Sequence, residues 1–79
     1  MTQVVPDTVL DAGDSGCTEL IMLIFQAMKK LNPGETLEIF SSDEAADLDI
    51  AAWCHLTGHS IVSSHSKASP KRILIRKRK

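Results

Sequence analysis

Between Glu19 and Leu31 the apolar residues Leu20, Leu23, Ile24, Ala27, Met28 and Leu31 recur at three- and four-residue spacing. That period gathers them on one stripe of an α-helix and leaves the opposite side to water. A stripe of this kind must be covered by another layer. The flanking segments are short and run with a two-residue period, which marks strands with one covered face. Lys29 and Lys30 fall in the last turn of the helix, where cations suit the negative end of its dipole, and Asn32-Pro33-Gly34 stops it. The chain has to pack helices on a sheet.

The remaining segments set the order. Thr8 to Ala12 is a short β-rich run halted by Gly13, a first strand. Glu35 to Ser41 turns Leu37 and Ile39 inward against Glu38 outward, a second strand. Ser42-Asp43 is placed to cap a second helix from Glu44, with acids in its first turn. Ala46, Ile50, Trp53 and Leu56 make its apolar face, and Gly58 is a C-terminal stop. His59 to His65 reads as a third strand. After the polar turn Ser66 to Pro70, Arg72 to Arg76 alternates Ile73 and Ile75 against Leu74 as a fourth. The expected fold class is α/β (α+β), a two-layer β-α-β-α-β-β sandwich. Two helices, near 18–31 and 44–57, cover one face of a four-stranded mixed sheet closed by a hairpin.

Length confines this to one domain over residues 1–79, without room for separate cofactor and substrate domains. A content of 43% hydrophobic and 24% charged residues excludes a disordered chain. The longest apolar run, Leu20 to Phe25, is far short of the roughly 20 residues that span a bilayer. Met1 to Leu10 carries no Lys or Arg and does not read as a secretory signal, so the cytoplasm is the expected compartment. Cys17 and Cys54 are too few for a disulfide framework and read as thiols. Charge is uneven. Residues 1–66 sum to −8 and residues 67–79 to +7, a basic end with two readings. It is either a solvated edge strand with residues 77–79 frayed, or a surface for nucleic acid or an acidic partner. No aromatic residue lies there to stack on a base, so direct nucleic-acid binding is not expected.

Cys17 is the most informative position. It follows the loop Gly13-Asp14-Ser15-Gly16 and directly precedes the first helix. Unpaired N–H groups and the positive dipole end gather at such a place, favour an anion and ease loss of the thiol proton. The flanking glycines leave room for a partner's active site. Asp14 and Glu19 work the other way, so activation is mild. The alternative is a small cysteine serving as a half-buried cap residue.

From Val9 to Lys77 the chain resembles the TusA/SirA-like sulfur-carrier proteins. The resemblance is carried by Leu10-Asp11-Ala12 leading to Cys17 and by the run from Ala27 through Met28, Asn32, Pro33 and Gly34 to Glu35. It continues in Leu37-Glu38-Ile39, Asp43, Asp49 to Cys54, Thr57-Gly58-His59 and a basic last strand. It implies the same β-α-β-α-β-β fold and a persulfide carried on the cysteine at the start of the first helix, here Cys17. It implies protein partners: a sulfur donor of the cysteine desulfurase or rhodanese type, and a sulfur acceptor in a relay serving tRNA thiolation or sulfur metabolism. Gly16, Thr18, Glu19 and Asp49 become the candidate partner contacts, Asp49 on an exposed face. The family's Cys-Pro-x-Pro signature and Arg-Gly-Leu-like loop are replaced by Cys17-Thr18-Glu19-Leu20 and Gly13-Asp14-Ser15. Proline at a first helical position fixes how the helix starts, and Thr18 can still begin one.

Other constellations carry less. Cys54 and His55 are adjacent and point about 100° apart on a helix, and His59 lies beyond the Gly58 stop. That is not the spacing of a zinc site, and neither metal nor cofactor is expected. Trp53 shares a face with Ala46 and Ile50 and reads as a core anchor. Asp43 and Asp49, six residues apart, fall on different faces and make no catalytic pair; Asp43 reads as a cap. No phosphate loop, nucleotide fingerprint or Ser-His-Asp arrangement is present. Two further functions stand beside the sulfur carrier. One is a non-catalytic interaction or regulatory module of the same fold that has lost sulfur transfer, and the other is nucleic-acid binding through residues 67–79.

Overall fold

The computed structural model describes residues 6–65, 67 and 70–78. Its elements are β1 (Thr8–Gly13), α1 (Cys17–Lys29), β2 (Thr36–Ser41), α2 (Ala46–Thr57), β3 (Ser60–His65) and β4 (Lys71–Arg76). The strands form one sheet in the order β1-β2-β4-β3. β1 runs parallel to β2, and β4 runs antiparallel to both β2 and β3. The sheet is therefore mixed, with the expected hairpin at its end. Of the polar turn expected over Ser66 to Pro70, Ser66, Ala68 and Ser69 lie outside the described residues, as does Lys79.

Register explains the core. Leu37 lies opposite Thr8 on one side and Ile75 on the other; Ile39 lies opposite Leu10 and Ile73. The inward row Leu37, Ile39, Ile73 and Ile75 is fully buried beneath Leu20 and Ile24 of α1 and Ile50 of α2. Each such side chain contributes about 1.5–3 kcal/mol by leaving water. Leu74 departs from simple alternation. Its side chain takes the other face, yet it is buried too, because β4 is an inner strand with Glu38 of β2 and Ser63 of β3 beside it.

Helix ends correct several expectations. α1 begins one residue earlier than expected, at Cys17, and stops at Lys29. The amides of Lys30 and Leu31 then donate to the carbonyls of Ala27 and Met28, a tightened last turn that keeps Leu31 in the core. α2 begins at Ala46, two residues later than Glu44, and its N-cap is Ala45 without a side-chain hydrogen bond. Asp43 is thus not the cap: its carbonyl accepts from the Ala46 amide at 3.2 Å, and its own amide donates to Ser41 Oγ at 3.1 Å. The buried row of α2 is Ala46, Ile50 and Cys54, at strict four-residue spacing. Leu56 is off this row and 83% exposed, and Trp53 packs against the core at its edge. Gly58 ends the helix with φ +86°, a left-handed conformation that disfavours any side chain.

Of the residues expected to fray, Lys77 and Arg78 make hydrogen bonds, and Lys79 lies outside the described residues. The Lys77 amide donates to the Glu35 carbonyl at 2.8 Å, and the Lys77 carbonyl accepts from Gly34 at 2.9 Å. Lys77 Nζ donates to the Leu31 carbonyl at 2.6 Å, and the Arg78 amide donates to His59 Nδ1 at 3.0 Å.

Candidate functional site at the start of the first helix

β1 and β2 are parallel, and each passes through a short loop into a helix. The amino ends of α1 and α2 therefore emerge on the same edge of the sheet, beyond the carboxyl ends of the parallel strands. In open α/β sheets this edge is the usual place for a reactive site. Two loops meet there and are stitched together. Gly13 adopts φ +56° after a register shift at the end of β1, and its amide donates to Asp11 Oδ1 at 3.1 Å. Its carbonyl accepts from the Ser42 amide at 2.8 Å and from Ser42 Oγ at 3.0 Å. Beneath them Ser41 is fully buried. The Ser15 amide donates to the Ala12 carbonyl at 3.1 Å, which fixes how the chain turns into α1.

Cys17 is the first residue of α1, and Gly16 before it is the N-cap, with extended backbone (φ −75°, ψ 175°). Gly16 has no side chain with which to cap, so it leaves the first-turn amides without the acceptor that Ser, Thr, Asp or Asn would supply. The first helical hydrogen bond runs from the Leu20 amide to the Gly16 carbonyl at 2.7 Å. Ahead of it the amides of Cys17, Thr18 and Glu19 cluster at the positive end of the helix dipole. Ser15 Oγ donates to Glu19 Oε1 at 3.0 Å, which holds that carboxylate on the first turn. Gly16, Thr18 and Glu19 are all exposed.

Asp49 sits in the first turn of α2, on the same edge. The expectation of an exposed face is corrected: the residue is half-buried, and its Oδ2 is buried without a hydrogen-bond partner among the described residues. The turn is not free to expose it, because the Asp49 amide donates to the Ala45 carbonyl at 2.9 Å. Four of the sequence-derived candidates thus form one continuous turn at residues 16–19, with Asp49 on the neighbouring helix start. Lys71 was missed. At the first position of β4 it meets Asp47 at 3.1 Å and donates to the Glu44 carbonyl, pinning the start of α2 to the sheet. The hydrogen bond from Lys71 holds the Asp47 carboxyl below its usual pKa. Only its place in a basic segment marked Lys71, and that does not name a partner.

The second thiol behaves differently. Cys54 lies on the buried row of α2, 2% exposed, and burial pushes its pKa up to about 11. At neutral pH it stays protonated and covered, and the protonated thiol is the less reactive form. His55 beside it points to solvent, and His59 packs against Trp53 with ring centroids 5.1 Å apart. Among the described residues no group of three His, Cys, Asp or Glu side chains converges on a common point. No helix among them is long and apolar enough to cross a membrane.

A family model described as Sulfurtransferase TusA matches residues 8–77, from the first residue of β1 to one residue beyond β4. All six elements lie within the match.

Proposed function

The chain belongs to the TusA family of sulfurtransferases, and from that membership we propose that it is a sulfur carrier which accepts sulfane sulfur on Cys17. The observation that carries the reading is the contrast between its two cysteines. Cys54 is buried with a thiol pKa near 11, whereas Cys17 opens a helix whose N-cap contributes no competing side chain. The thiolate is the form that attacks sulfur, and a helix amino end favours it.

The chemistry is thiol–disulfide-like exchange and balances without an added oxidant. The Cys17 thiolate attacks the terminal sulfur of a donor persulfide; the new S–S bond forms as the donor's S–S bond breaks. The donor cysteine leaves as a thiolate. An acceptor thiolate then attacks the outer sulfur of Cys17-S-SH, and Cys17 departs as the thiolate it was at the start. The donor is a protein persulfide of the cysteine desulfurase or rhodanese type. The acceptor is a second protein in a relay serving tRNA thiolation or sulfur metabolism, and the compartment is the cytoplasm. Gly16, Thr18 and Glu19, all exposed and small or polar, neighbour Cys17 in the chain and are the contacts for a partner's active site. Asp49, half-buried in the first turn of α2 on the same edge, is a further contact only through the part of its side chain that stays exposed.

The test is sulfur loading from a cysteine desulfurase and labelled cysteine. Cys17→Ser should fold as wild type yet take up no label, because a hydroxyl is not ionised at neutral pH. Cys54→Ser should load like wild type with lower stability. Loading of Cys17→Ser would overturn the assignment. A wild-type protein that loads from no donor, with a Cys17→Ser variant of unchanged cellular role, would make the chain an interaction module of this fold.

A further inference from the structure

At the opposite end of the helix layer the last turns of α1 and α2 meet the residues that follow β4 around an open groove of about 390 Å³. Twelve residues of helix separate Lys29 in this groove from Cys17, roughly 18 Å at 1.5 Å per residue. The groove is thus remote from the sulfur site. Its volume falls in the range of small-molecule sites, not of protein interfaces.

Its lining combines ring faces with cations. Trp53 and His59 pair at 5.1 Å with their planes tilted by 35°, and Phe25, half exposed, carries Lys29 Nζ 4.9 Å from its ring centre. Lys77 and Arg78 supply the other charges, and among the described residues no acidic side chain lines the groove. The Lys77 ammonium is committed to the Leu31 carbonyl. Lys29 and Arg78 have no carboxylate partner among the described residues, where the ion pair formed is Lys71–Asp47 at the other end. His59 is a neutral neighbour. Its Nδ1 accepts the Arg78 amide, which puts the ring proton on Nε2 as a donor, and burial together with Arg78 and Lys77 lowers its pKa. The two helix carboxyl ends oppose an anion, but each amounts to about half a negative charge, against two cations without a carboxylate partner among the described residues.

We propose that this groove binds a small planar ligand bearing a phosphate, of the mononucleotide class. The ring lies against Trp53 and Phe25, and the phosphate is met by Lys29 and Arg78. Aromatic stacking with a cation-bound phosphate is the pairing these residue types favour, and it needs no sequence motif because the parts come from three separate elements. An acidic peptide would satisfy the cations but leave the ring faces without a flat partner.

Trp53 is the only tryptophan in the chain, so its fluorescence reports on this site alone. Adenosine monophosphate is titrated into the intact protein at low salt. A saturable change with half-saturation at or below about 1 mM is expected. Adenosine, which lacks the phosphate, and ribose 5-phosphate, which lacks the ring, should each bind at least tenfold more weakly. Arg78→Ala and Lys29→Ala should each weaken binding several-fold, and Cys17→Ser should not alter it. In wild-type protein, nuclear magnetic resonance shifts should concentrate at Phe25, Trp53, Thr57 and Arg78, a readout that needs no variant to fold. The proposal is overturned by absence of saturation. It is also overturned by equal binding of ribose 5-phosphate, by shifts centred elsewhere, or by tighter binding of an acidic peptide.

Discussion

Cys54 and Cys17 differ before any partner arrives: Cys54 lies inside the packed layer, and Cys17 is the first residue of α1. Cys54 has been moved into the packed row Ala46-Ile50-Cys54, and burial alone lifts its pKa to about 11. In the native protein a maleimide at neutral pH should modify Cys17 first, and Cys54 should follow only as the chain unfolds; equal rates in the folded state, read by peptide mass, would contradict the burial. The same shift has a stability consequence. The unfolded thiol loses its proton near pH 9, while the folded one holds it to about 11. The folded state therefore binds more protons in that window, and stability falls as pH rises through it, by on the order of 2 kcal/mol. Urea unfolding across pH 9 to 11 should show this loss in wild type and a smaller one in Cys54→Ala. The sequence placed Cys54 in the second helix next to Trp53. It misjudged Leu56 and Asp49, since a face assigned by period alone carries an error of one neighbouring position, enough to expose a leucine or bury a carboxylate.

At the scale of an element, the start of α1 decides whether sulfur chemistry has a platform. Thr18 occupies the first turn, where an amide needs no helical acceptor, so Thr18→Pro should fold with unchanged circular dichroism. If it also raises loading from a family-type donor, the natural threonine sets partner choice. Leu20→Pro is a different matter. It deletes the hydrogen bond to the Gly16 carbonyl and a fully buried side chain, and should destabilise by about 3 kcal/mol or more. At the other end of the layer, Gly58→Ala would force a side chain into φ +86°, with its Cβ 3.3 Å from Arg78 Cδ. A loss of about 1–2 kcal/mol in chemical denaturation is expected. The helices themselves were legible in the sequence because their stripes are periodic. The start of α2 was not: Ser42-Asp43 has the chemistry of a cap, yet those residues are drawn into the stitch to Gly13 and Ser41, and the helix begins beyond them.

At the scale of the whole molecule, the order of elements and the mixed sheet follow from segment periods and short connections, and these were readable in advance. The fastenings were not. Ser42 to Gly13, Lys71 to Asp47 and Lys77 to Leu31 join residues 29, 24 and 46 positions apart, and such pairs leave no periodic trace. They change the meaning of the basic end, which closes the sheet onto the turn after α1 and frames the groove around Trp53. Removing residues 77–79 should therefore lower the melting temperature by several degrees, where a frayed end would leave it unchanged. The fold then presents two chemically distinct ends, a helix amino end holding Cys17 and a basic, aromatic end far from it. The account stands most directly on where sulfur resides. Wild-type protein incubated with a cysteine desulfurase and cysteine, then digested without reductant, should gain the mass of one sulfur atom on the peptide containing Cys17 and none on that containing Cys54. Sulfur on Cys54, or on neither peptide with every donor tried, would contradict it.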